Sequence, residues 1–291
     1  MKILELKREP THIHRMDVSS HDPQDPYSDM LFSIKTIKGA PIRTLIEAVK
    51  DILIDANLEF DSTGIKIKTM DGTHMIMVHL FLQADRFDEY YCPNTQIVGI
   101  NMINLFKLVK TMSNNESIVL YMRKSDPTKL GIEIMNGVKQ MITRFTLNFM
   151  ELDVIPVNIP SVKIPSTITM SSTDFQKIIR DMLSLGEIVD IQSTRHELVF
   201  RCSGEYAEQE TIFTFGQNGL FQDKPTDEIV QGKFYLKFLV LFTKCTSLCS
   251  EIKLYLMNNF PIIVEYNVAG LGEIKLMLAP SLKKSQFDIK A

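Results

Sequence analysis

The sequence predicts an α+β fold made of two copies of one domain, each with two helices packed on antiparallel sheets. Apolar residues switch repeatedly between helical spacing and strand-like alternation, the second half of the chain repeats the order of the first, and a proline-bearing stretch separates the halves. At 291 residues the chain is long enough for two domains. Its 45% hydrophobic and 23% charged content is that of an ordinary globular protein.

In chain order, Ile42, Leu45, Ile46, Val49, Ile52 and Leu53 recur at helical spacing behind Pro41, so the pattern predicts a helix over 41–55. The next stretch, LEFDSTGIKIKTMDGTHMIMVHLFLQ, alternates apolar and polar residues around turn signals at Ser62-Thr63-Gly64 and Asp71-Gly72, which predicts a strand meander. A second helix is expected over 101–112, then strands over 117–123 and 130–135 separated by Asp126-Pro127. The second half repeats this order. Lys50-Asp51 matches Arg180-Asp181, Ser62-Thr63 matches Ser193-Thr194, Asp71-Gly72 matches Ser203-Gly204, and Lys110 matches Lys244. Its helices are expected over 173–184 and 233–246. The segment FMELDVIPVNIPSVKIP carries three prolines and no helical period, the mark of an extended connector. The chain therefore divides into an N-terminal arm (1–30), a first domain (31–148), a connector (149–166), a second domain (167–282) and a tail (283–291).

The arm carries His12, His14 and His21 and a DPQDP cluster. His12-x-His14 lacks a Cys or carboxylate at metal-ligand spacing, and the reading is a solvated arm with no metal. Cys92, Cys202, Cys245 and Cys249 in a long chain read as reduced thiols. Apolar runs are far shorter than a membrane span, and the first residues lack an apolar signal core, so the expectation is a soluble intracellular protein.

A formal charge of −3 argues against a nucleic-acid partner until the charges are located. The four expected helices hold nine Lys or Arg (Arg43, Lys50, Lys107, Lys110, Lys177, Arg180, Lys233, Lys237, Lys244) against five acids, and the second and fourth hold no acid. Each carries a basic pair three or seven residues apart, which places both members on one helical face, about 60° or 20° apart. One such face is ordinarily a solvated surface. Four alike, on an acidic molecule, suit a phosphate backbone. Glu47 between Arg43 and Lys50 makes the first helix the weakest of the four.

The segments LIEAVKDILIDANLEFDSTGIKIKTMDGTHMIMVHLFL, FDEYYC, NLFKLVK, FMELDV and PIIVEYNVAGLGEIKLMLAP resemble the proliferating cell nuclear antigen family of sliding clamps, nearly continuously from Leu31 to Leu282. The resemblance implies the DNA-clamp fold and a head-to-tail ring of three subunits around duplex DNA, with helices lining the hole and sheets outside. It implies a polymerase processivity factor that tethers replication and repair proteins without enzymatic activity or a cofactor. Its partners would be duplex DNA, DNA polymerase and other proteins with clamp-binding peptides, and a clamp loader, with no membrane. It would work in the nucleus, or wherever DNA is replicated, such as a viral factory or the cytoplasm if the protein is viral. Carried over residue by residue, the DNA-facing positions are Arg43, Lys50, Lys107, Lys110, Lys177, Arg180, Lys237 and Lys244.

The resemblance also implies a peptide pocket beneath the connector. Its wall would be Met70, His74 and Met77 from the first domain, Val157, Ile159 and Pro160 from the connector, and Pro261, Met277, Ala279 and Pro280 from the second. Taken singly, each is an ordinary core or turn residue, and His74 has no nucleophile or carboxylate at a catalytic spacing. The implied subunit joint pairs edge strands over 140–147 and 208–215, with Lys139 and Arg144 facing Glu208 and Glu210 of the neighbour.

Departures from the family pattern are the arm, Thr44 and Arg195 in place of lysines, Ile155 and Pro156 in place of polar connector residues, and the mildly basic tail KKSQFDIKA. Competing readings are a subunit of a heterotrimeric checkpoint clamp and a non-ring processivity factor of the same fold. A DNA-acting enzyme is disfavoured, because clustered carboxylates and a phosphate-cradling glycine motif are lacking.

Overall fold

The computed structural model describes residues 26–153 and 167–281, apart from 218, 224 and 226. Most of the expected arm, the tail, and connector residues Ile155, Pro156, Val157, Ile159 and Pro160 lie outside the described residues.

The first half runs β1 (Met30–Thr36), α1 (Gly39–Val49), β2 (Asp55–Asp61), β3 (Gly64–Met70), β4 (Ile76–Gln83), β5 (Glu89–Tyr91), β6 (Gln96–Asn101), α2 (Met102–Val109), β7 (Ser117–Arg123), β8 (Asp126–Asn136) and β9 (Met141–Asn148). The second runs β10 (Thr167–Ser171), α3 (Ser172–Leu183), β11 (Ile188–Ser193), β12 (Glu197–Ser203), β13 (Glu208–Thr214), β14 (Phe221–Gln222), β15 (Val230–Tyr235), α4 (Leu236–Phe242), β16 (Glu251–Tyr255), β17 (Ile262–Asn267) and β18 (Gly272–Leu278). The expected α+β architecture of four helices on antiparallel sheets is present.

Strand order shows how the halves join. One sheet is β5-β1-β7-β8-β9 and another is β13-β12-β11-β15. The third, β14-β10-β16-β17-β18-β4-β3-β2-β6, crosses from one half to the other. Its junction is the antiparallel pair β4 and β18, with Val78 opposite Leu276 and Met77 opposite Met277. By the internal repeat β13 corresponds to β4, and β9 corresponds to β18. Their equivalents pair inside the chain, whereas β9 and β13 are each left at a sheet edge.

The helices form one continuous row on the sheets: α1 lies against α2 and against the 3₁₀ turn Thr243–Leu248 that follows α4, and α3 packs on α4 and the same turn. Ile42, Leu45, Ile46 and Val49 of α1 are buried and converge with Leu58, Ile65, Ile67, Leu80 and Leu82 from the strands below. Burial of each such side chain contributes about 1.5–3 kcal/mol. Asn101 caps α2 by accepting from Asn104 N–H at 2.9 Å, and Ser171 caps α3 by accepting from Asp174 N–H at 3.3 Å.

Four expected boundaries are corrected, the simplest being the helix of 101–112, which ends at Val109 with Lys110 as its C-cap. The helix of 41–55 ends at Val49, because the N–H groups of Ile52 and Leu53 both return to the Val49 carbonyl (2.9 and 2.8 Å) and Asp55 already pairs with Asn101. Ile52 and Leu53 are buried as expected, but by a tight turn. Over 233–246, residues through Tyr235 belong to β15, so Lys233 is a strand residue opposite Asp190. Lys244 stands in the 3₁₀ turn. Asp126 and Pro127 open β8 instead of separating strands; the reversal falls at Lys124 and Ser125, and Pro127 sits in the register break between the Asp126–Arg123 and Gly131–Tyr121 pairs, where no ladder bond is asked of it.

Candidate nucleic-acid and partner interfaces

All eight carried-over cations stand on the helix row, but their availability differs. Lys107, Lys110, Lys177, Arg180, Lys237 and Lys244 are exposed. Lys107 reaches Asn104 Oδ1 at 3.3 Å, and Lys237 lies over the rings of Phe238 and Tyr235 (4.9 and 5.7 Å). The α1 pair is engaged internally. Arg43 donates to the Met112 carbonyl and to Asn114 Oδ1 (3.2 Å), bracing the end of α2. Lys50 pairs with Asp51 at 2.6 Å and lies over the Phe106 ring at 4.9 Å, which leaves its side chain 18% exposed. Asp51 also faces Lys244 across the two halves at 3.8 Å. The row thus presents exposed cations from α2, α3, α4 and the 3₁₀ turn, on α3 interspersed with the exposed Asp174 and Asp181, with α1 serving chiefly as internal bracing.

On the opposite face of the nine-stranded sheet, Met70, Met77 and Met277 stand in one transverse row, because Met77 is register partner to both others. Met70 is 37% exposed, Met77 is half-buried and Met277 is buried. The β3–β4 turn holds this row in shape through Asp71. Its Oδ1 accepts from Met75 N–H (3.0 Å) and Ile76 N–H (2.7 Å), and its Oδ2 from Thr73 N–H (3.1 Å) and the Thr73 hydroxyl. Burial opposes ionisation of Asp71, but these bonds outweigh it and keep the pKa below the ordinary carboxylate value. His74 occupies a left-handed position in the turn (φ 57°) and is exposed. Pro261 leads into β17 while Ala279 and Pro280 follow β18; pairing of Ile262 with Leu278 brings these ends together, and Ala279 N–H donates to the Met75 carbonyl at 3.1 Å. Seven of the ten expected wall residues are therefore gathered about the joint between the halves; Val157, Ile159 and Pro160 lie outside the described residues.

Beside the methionines runs a second transverse row that the sequence reading missed: Lys68, His79, Lys275, Glu265 and Lys253, each in register with the next. Buried Glu265 accepts from Tyr255 Oη (2.7 Å) and Lys253 (3.0 Å) and lies 3.5 Å from Lys275, which also binds Glu273 at 2.6 Å. Burial alone would raise the pKa of Glu265; Tyr255 and the lysines hold it below the ordinary value. Strand alternation placed Lys68 and His79 outward, but only the β4–β18 pairing sets Lys275 beside them.

At the two free edges three of the four expected side chains are engaged within their own sheets. Arg144 pairs with Glu133 of β8 at 2.8 Å, Glu210 with Arg201 of β12 at 2.5 Å, and Glu208 accepts from Ser203 Oγ at 3.1 Å. These side chains are cross-strand partners within their own sheets. Lys139 is exposed in the turn before β9, where its N–H donates to Asn136 Oδ1 at 3.0 Å. The edges instead present apolar side chains that were not singled out from sequence: Met141 and Ile142 on β9, and Ile212 on β13, all about half exposed.

Two family models match the chain, the N-terminal domain of proliferating cell nuclear antigen over residues 31–156 and its C-terminal domain over 158–281. A protein of Paramecium bursaria Chlorella virus 1 described as probable DNA polymerase sliding clamp 1 is 33% identical over 258 residues, covering 87% of this chain and 98% of that protein. Proliferating cell nuclear antigen of Chaetomium thermophilum is 28% identical over 248 residues, covering 83% and 94%. Among solved structures, the crystal structure of the Entamoeba histolytica antigen superposes with a TM-score of 0.80 at 27% identity, covering 87% of this chain and all of that one.

Proposed function

The chain belongs to the proliferating cell nuclear antigen family and is a sliding-clamp processivity factor; from that premise we propose that three copies close head to tail into a ring around duplex DNA. The observation that carries the ring is the unpaired state of β9 and β13, whose repeat equivalents β18 and β4 pair within the chain. Joining β13 of one copy to β9 of the next would reproduce that internal junction between subunits, and the exposed Met141, Ile142 and Ile212 would be covered there. A closed ring holds DNA by topology, without covalent chemistry.

The cations of α2, α3, α4 and the 3₁₀ turn would contact phosphates without reading bases, so the ring moves along any sequence. Polymerases and other partners would dock a short peptide on the methionine row, raising their effective concentration at the primer end. A clamp loader opens the ring, and the protein works at sites of DNA replication.

Light scattering should give a mass near three times 33.3 kDa; a monomer throughout the micromolar range would refute the ring. The inner surface is tested by reversing Lys107, Lys110, Lys237 and Lys244 to Glu. With trimer mass and peptide affinity unchanged, the wild type should support long primer extension at low salt and the variant should not, since each phosphate contact contributes about −0.9 to the logarithmic salt slope. Equal extension by both, with loading verified, would remove the helices from DNA contact.

A further inference from the structure

The row beside the methionines carries an inference that rests on the peptide-docking reading above. Successive same-face residues of a strand are about 7 Å apart, so Lys68 and His79 flank Met70 and Met77 at that distance. The cations at the far end of the row are committed: Lys253 and Lys275 are held by Glu265 and Glu273. At the near end Lys68 is exposed and makes no ion pair among the described residues, and the half-buried His79 ring makes no hydrogen bond among them. The charges around His79 are Lys68 on β3 and Lys275 and Glu273 on β18. The near end of the row therefore sets an uncommitted cation and an imidazole beside the apolar groove, on a chain whose formal charge is −3.

We infer that the partner segment docking on the methionine row carries a carboxylate about two residues along its extended backbone from its apolar anchor, received by Lys68 with the His79 imidazole as a supporting donor. The partner is an acidic-flanked apolar peptide. A basic flank would instead set a cation against Lys68 and be disfavoured by like charge.

The experiment uses the full chain and three labelled clamp-binding peptides with identical apolar anchors, carrying Glu, Gln or Lys at each position two residues from an anchor. Fluorescence anisotropy is read at low salt and at about 1 M salt, where the Debye length is about 3 Å. At one flanking position the Glu peptide should bind about threefold to fivefold tighter than the Gln peptide at low salt, the span expected of an exposed ion pair, and the advantage should vanish at high salt. Lys68→Gln should abolish the advantage and Lys68→Glu should reverse it toward the Lys peptide, with the Gln peptide bound equally by all three proteins. Lys66→Gln, in the next row and bound to Asp61, should change nothing.

Binding of the Gln peptide with no preference for Glu at any position would overturn the acidic flank alone, as would a preference that survives Lys68→Gln. Tighter binding once Lys68 is neutralised would mean that an acidic segment of this chain occupies the row, and would also overturn the inference. Failure of every peptide to bind the wild type would sink the groove reading itself, and this inference with it.

Discussion

The two halves share one architecture and spend their charges differently. In the first, Lys50 of α1 lies over Phe106 and pairs with Asp51. In the second, the matched Arg180 of α3 is exposed with no ion pair among the described residues, and the residue matched to Phe106 is Val240, which offers no ring. Turns differ in the same sense. Asp61 holds the β2–β3 turn through Thr63 and Gly64 N–H and through Lys66, and Asp71 holds the β3–β4 turn. The matched turns of the second half use the Thr194 hydroxyl, which accepts from His196 and Glu197 N–H, and a main-chain bond from Gly204 N–H to Ala207. Duplication thus preserved the frame, while α1 and the two acidic turns of the first half commit ionic groups to internal bonds that α3 and the matched turns of the second half do not make.

The largest difference lies at the helices. Reversing Lys177 and Arg180 to Glu should weaken duplex binding by more than about tenfold at low salt and flatten the salt slope. Neutralising Arg43 and Lys50 to Gln should change binding by less than about twofold, yet cost on the order of 1 kcal/mol of stability through lost hydrogen bonds. Electrophoretic mobility shifts beside urea titrations read both quantities. Equal effects of the two pairs on DNA would erase the distinction.

The turns give the next largest difference. For Asp61, burial opposes ionisation, but the bonds from Lys66 and Thr63 win and bring its pKa down to about 2. Asp71 is likewise depressed. A depressed carboxylate contributes stability that is complete above its unfolded pKa of about 4 and is lost as pH falls through the folded value. Urea midpoints of the wild type should therefore drop between pH 5 and pH 2.5, and Asp61→Asn with Asp71→Asn should flatten that drop. Thr194→Ala, in the matched turn of the second half, should cost about 0.5–1.5 kcal/mol at every pH, because no titrating group is removed. A pH-dependent loss in Thr194→Ala would contradict the division.

The smallest effect is expected at the contact between halves. Asp51→Asn releases Lys50 and loosens Lys244, which lies 3.8 Å away, and should raise duplex affinity about twofold to threefold, within the worth of an exposed pair. Unchanged affinity would mean that Phe106 alone holds Lys50 away from the DNA.

Local pattern by itself determined the duplicated α+β frame and the cations on the helices, because helical and strand periods are properties of neighbouring residues, whereas the edge strands over 140–147 and 208–215 came only from the family resemblance. It overran the ends of α1 and α4, where buried positions keep helical spacing after the backbone has turned, as at Ile52 and Leu53, and it extended the α4 helix back over Lys233 in β15. Alternation also assigns a residue to a face without naming the strand beside it. The pairing of β4 with β18 was therefore decided only by tertiary structure, and with it the methionine row and the cations flanking it. The same holds for Arg43, Lys50, Arg144 and Glu210, whose charges were legible and whose partners were not. Whether a charge is free depends on groups brought near by folding, such as Phe106 beneath Lys50 across 56 residues of chain, and no local spacing encodes that approach.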